Sequence, residues 1–188
     1  MNISFRASVV FGSLVLLTCF CSGVVAQRDP RISEIRQRDQ MINNRILLAE
    51  QNQELSTTFL NELVINKDDM PFPAVSVYRS VVKFYYTYGD RERNPYPDRL
   101  FKIVIATERS SRRESSEYLF NDAGQLILFY AKTDDYEHRI YFARERAIGF
   151  EEGEEFLNLR NKVVAATIAE ALKEKAHLVA IFRGSLRL

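Results

Sequence analysis

The stretch Glu117–Lys132, EYLFNDAGQLILFYAK, decides how the chain is built. Asn121 and Asp122 favour entry into a turn and Gly124 can take positive φ, the residue types of a type I turn closed by a G1 bulge. The stretch is therefore a β-hairpin in which Phe120 pairs with Leu126 and Tyr118 with Leu128. Period-two alternation then places Tyr118, Phe120, Leu126, Leu128 and Tyr130 on one face and Leu119, Ile127, Phe129 and Ala131 on the other. Both faces are apolar, which a sheet with one wet side would not show.

Around this hairpin the runs VSVYRSVVKFYYTYG, RLFKIVIATE and HRIYFARE are rich in β-branched and aromatic residues and bounded by turn chemistry. With ESSEYLFN and QLILFYAKT they predict five strands. Connections this short force antiparallel neighbours, since a parallel crossover needs about a dozen residues. The middle of the chain, 68–150, is thus expected to be a five-stranded antiparallel β-meander. In its first strand Tyr78, Val82, Phe84, Tyr86 and Tyr88 share a face, with Arg79, Lys83, Tyr85 and Thr87 on the other.

Before the meander, 27–67 lacks Gly and carries Asp29 at a capping position with Pro30 in a first turn. It reads as helix from Asp29 to about Asn66, with a seam of Ile35, Ile42, Ile46, Ala49, Leu60 and Leu63 that Gln53 and Ser56 interrupt. A sustained coiled coil is not supported. After the meander, 151–188 has Leu157, Val164, Ile168, Leu172 and Val179 at helical spacing, and predicts an amphipathic helix from Glu154 to about Leu178 with a docked final turn. The fold class expected is α+β: long N-terminal helix, meander, C-terminal amphipathic helix, with 27–188 as one globular domain.

The first 26 residues contain one Arg, an apolar run from Val9 to Cys21, and a small-residue end at Ala26, the pattern of a cleaved signal peptide. The apolar run is shorter than the roughly 20 residues a membrane-spanning helix needs, so no stable membrane span is expected after cleavage. Export to the periplasm or the exterior follows. Thr18 and Phe20 precede the two cysteines, so a lipid anchor is disfavoured, and a chain starting at Gln27 has no cysteine for disulfides or thiolate chemistry. Loss of Arg6 leaves 25 basic against 25 acidic side chains, a balance that argues against a nucleic-acid binder. An exported chain without disulfides fits a bacterial source.

Catalytic signatures are sparse. There is no Gly-rich phosphate loop and no nucleophile elbow, no cofactor or metal is expected, and the two histidines have plain explanations. His138 follows an acidic turn, Asp134–Glu137, and His177 sits late on a helix where a cation is favoured. Glu151, Glu152, Glu154 and Glu155 read as a solvated helix entry, and Arg109–Arg113 as a solvated loop. Tyr118–Leu126, YLFNDAGQL, resembles the tyrosine-aspartate hairpin units of large cell-surface repeat proteins, a likeness of turn chemistry over nine residues.

What stands out is the second sheet face, an apolar centre of Val104, Leu119, Ile127, Phe129 and Tyr141 fringed by Lys102 and Arg139. A patch of this size calls for a cover. Either the two helices take one face each, or the second face receives an envelope protein partner, a second copy or an apolar ligand. The expectation is a non-enzymatic binding or assembly component of the bacterial cell envelope. The rivals are a small apolar-ligand or lipid carrier, and an enzyme using carboxylates around Gly89–Asp98 or Asp134–His138.

Overall fold

The computed structural model describes residues 29–52, 57–72, 76–110 and 112–187. The expected signal peptide, with Cys19 and Cys21, and the expected seam-breaking positions Gln53 and Ser56 lie outside the described residues. Among those described, helix α1 (Arg31–Gln51) precedes strands β1 (Phe59–Ile65), β2 (Pro71–Phe72), β3 (Ser76–Tyr88), β4 (Pro97–Arg109), β5 (Arg112–Phe120), β6 (Leu126–Lys132), β7 (Glu137–Ala143), β8 (Arg146–Glu152) and β9 (Glu155–Phe156). Helix α2 (Lys162–Ser185) closes the chain. All strand pairs are antiparallel, and β1, β3, β4, β5, β6, β7, β8 and β9 lie side by side in that order, with β2 also pairing β3.

The α+β class is as expected, but the sheet is larger than five strands. The expected helix to Asn66 ends at Gln51, and FLNELVI of β1 is instead the edge partner of β3, from Phe59↔Tyr86 to Ile65↔Ser80. Leu, Asn and Glu in that segment favour helix or neither state, so pairing with an existing strand overrides local propensity. The expected helix start at Glu154 moves to Lys162, because Glu151 and Glu152 lie in β8 and Glu155 in β9. Asn161 caps α2, its Oδ1 accepting from the Val163 N–H at 2.9 Å. The chain end continues this helix to Ser185.

The quoted hairpin turns as its sequence dictates: Gly124 has φ +73°, and Asn121 Oδ1 accepts from the amides of Ala123 and Gln125 at 3.0 and 2.9 Å. Phe120 pairs with Leu126, but the register then shifts, so Leu119 pairs with Leu128 and Tyr118 with Phe129. Ile127 is the extra residue of a bulge. The bulge exchanges the faces beyond it, which corrects the expected grouping: Phe129 joins Tyr118, Phe120 and Leu126, while Leu128 joins Leu119 and Ile127. The same device recurs at Phe101 in β4 and Ile148 in β8.

Each face has its own helix. One row across the sheet, Phe84, Ile103, Tyr118, Phe129, Ile140 and Phe150, packs with Val164, Ala171, Leu178 and Phe182 of α2. On the other face the row Tyr85, Lys102, Leu119, Leu128, Tyr141 and Gly149 lies under α1. Ile32 and Ile35 enter this second core, and a Cβ on Gly149 would come within 2.9 Å of Ile32 Cδ1. Polar contacts fix the helix position. Lys102, 1% exposed, reaches Asp39 at 3.1 Å, Glu117 at 2.6 Å and Asn43, while Arg36 holds Glu151 through both carboxylate oxygens at 2.8 Å and the Tyr141 hydroxyl at 2.9 Å.

Lys102→Met keeps the bulk and removes the charge that joins Asp39, Asn43 and Glu117. Because those acceptors retain partial access to water, the expected cost is about 2 kcal/mol. Hydrogen exchange should show α1 amides losing protection before those of β4 to β7; equal loss across both would contradict the clasp.

Candidate functional site

The residues singled out from sequence are brought together only in part. Leu119, Ile127 and Tyr141 are buried beneath α1, Lys102 is in the clasp, and Val104 is half-buried beside it. Phe129 faces α2 on the opposite side. Arg139 lies 4.8 Å over the Tyr130 ring and 2.5 Å from Glu137. Tyr141 donates to Glu151 at 2.6 Å, and burial followed by that carboxylate pushes its hydroxyl up to about 12. Glu151 is therefore a buried anchor for α1 rather than a solvated helix entry. The second face is covered from within the chain.

An open site lies instead beside α2. The next row along the sheet on that face runs Leu63, Val82, Ile105, Ser116, Ala131 and His138. The neighbouring row under the helix carries a large side chain at every one of its strands; this one is small at its centre. A groove of about 410 Å³ results, with Val82, Ile105, Ala131 and Phe129 in its floor and Thr167, Glu170, Glu174 and Leu178 in its helical wall. Its rim is apolar and exposed at Leu63, Ile65, Tyr136 and Ile181.

His138 gives the floor its chemistry. It is 9% exposed, stacked on Phe150 at 5.3 Å and on Tyr136 at 5.8 Å, and its Nε2 is buried without a hydrogen-bond partner among the described residues. Burial lowers its pKa below the usual imidazole value, against an opposing pull from Glu152. On the wall, Glu174 Oε2 accepts from the Tyr118 hydroxyl at 2.6 Å. Burial, then Glu174 and Glu170, push that hydroxyl far up. The basic residues that line the groove already have partners, Arg109 with Glu114 at 3.9 Å and Lys132 with Glu137 at 3.8 Å. The sequence held a signal for this site in the small residues Ser116 and Ala131, but their alignment depends on strand register.

The other regions considered from sequence offer less. In the Gly89–Asp98 loop, Asp98 accepts from Asn94 at 2.8 Å and Arg91 lies 3.9 Å over Tyr88. A depression on the far side of α2 mixes Asp90, Asp98 and Asp122 with Arg93, Arg99 and Arg183, and Asp122 is bound by Arg38 at 2.8 Å. Among the described residues no group of three potential ligands is placed to hold a metal, and no helix is long and apolar enough to cross a membrane.

His138 also gives the fold a pH dependence. Its folded pKa lies below the unfolded value near 6.5, so the unfolded chain binds more protons as pH falls, and stability present above 6.5 is lost progressively below it. The denaturant midpoint of the protein should fall between pH 7 and pH 5. In His138→Gln that slope should flatten; an unchanged slope would assign it to other groups. No family model matches the chain, and no similar curated protein or solved structure is found, so the groove is read from its own residues.

Proposed function

We propose that this chain is an exported, non-enzymatic binding component of the bacterial cell envelope, and that it takes a small ligand with an apolar body into the groove between α2 and the sheet. One observation carries the reading: Ser116 and Ala131 leave the centre of a row small while the row beside it is filled by Tyr118 and Phe129. A sheet face meant only for packing is filled to close density, and an unfilled row loses contacts along its whole lining. The size fits the range of small-molecule sites, about 300–1,000 Å³, and the exposed apolar rim lowers the cost of ligand entry. The signal-like N-terminus supports export.

A second reading, a protein partner, is favoured by Met41, Leu47 and Leu48 on α1 and Leu60 on β1, all exposed. One experiment separates the two. The protein is isolated from the exported fraction of its own expression host, its N-terminus sequenced for a start at Gln27, and its mass measured under native conditions. A mass excess of a few hundred daltons, absent from Ala131→Phe, is expected. An excess of protein size would favour the partner, and an unprocessed N-terminus would overturn export.

A further inference from the structure

We infer that the groove selects an amphipathic amine, a positively charged ammonium group on an apolar body; this rests on the groove being the ligand site. The apolar half of the match is the surface of Val82, Ile105, Phe129 and Leu178. The polar half follows from which groups in the groove still have capacity. Glu170 and Glu174, four residues apart on α2, stand on one face of the helix and both line the groove. Glu174 spends one oxygen on Tyr118, and Glu170 has no ion pair among the described residues.

On the floor, His138 is nine-tenths buried and its Nε2 has no hydrogen-bond partner among the described residues, a nitrogen that accepts in one neutral tautomer and donates in the other. Arg109 and Lys132, the two cations that line the groove, sit beside Glu114 and Glu137. Glu137 is shared with Arg139, so three cations face four carboxylates, Glu114, Glu137, Glu170 and Glu174, and the groove keeps a negative excess whose acceptors are the oxygens of Glu170 and Glu174. An ammonium supplies three donors and the opposite charge. A carboxylate or phosphate would meet Glu170 and would have to take Arg109 or Lys132 from its partner. A neutral alcohol offers one donor and no charge.

The test is calorimetric titration of the purified protein at pH 7.5 with octylamine, octanol and octanoate, which share a chain and differ in head group. Octylamine is expected to bind at least tenfold tighter than octanol, with octanoate weakest. Glu170→Gln, at an exposed position, should cut octylamine affinity about fivefold and leave octanol unchanged, and Ala131→Phe should abolish binding of both. Octanol equal to or tighter than octylamine, a preference for octanoate, or octylamine binding that survives Ala131→Phe would overturn the amine assignment. Binding of octanol or octanoate that Ala131→Phe removes would keep the groove as a ligand site. No binding by any of the three would overturn both readings.

Discussion

A single sheet that is apolar on both sides has to be covered twice, and this chain does so with the two helices at its ends. The covers differ in kind. Beneath α2 the contact is almost wholly apolar and aromatic, with Phe182 stacked against Phe84 at 5.8 Å and edge-on to Tyr86 at 5.2 Å. Beneath α1 the apolar contact is thinner, limited to Ile32, Ile35 and their neighbours, and the position of the helix is set by directional contacts at Lys102 and Arg36. Apolar burial is non-directional, so the ion pairs are what choose one placement of α1 among many similar ones.

Three of the four bulges in the sheet serve the same end. Phe101, Ile127 and Ile148 each add an apolar side chain next to the row that α1 covers, and each sits where alternation alone would have left a polar or opposite-facing residue. Arg45 lies 4.8 Å over the Phe101 ring, and Ile127 and Ile148 pack with the α1 core. Without the bulges the helix would rest on a narrower strip.

The class of the fold, the turn at Asn121–Gly124, the clear face of β3 and the seam of α1 up to Ala49 were legible in the sequence, because each rests on a short-range rule. What was not legible depends on partners far away in the chain. β1 is a strand only because β3 offers it an edge, and the face of Phe129 depends on a bulge that no residue of its hairpin announces. The groove was hidden for the same reason: Ser116 and Ala131 are unremarkable singly and meaningful only as neighbours in register. The second face was rightly seen as demanding a cover, and Lys102 and Tyr141 as belonging to it.

The route of α1 has a kinetic side. Its contacts run from Tyr85 on β3, which donates to Glu50 at 3.2 Å, to Glu151 on β8, which is 115 residues beyond Arg36. The first helix to be made therefore cannot find its seat until almost the last strand exists. Closing so long a loop is entropically unfavourable until the sheet has formed, and low-order contacts such as the hairpins come first. A nascent chain would therefore keep α1 undocked through most of synthesis, its polar and apolar faces both in water until β8 is made.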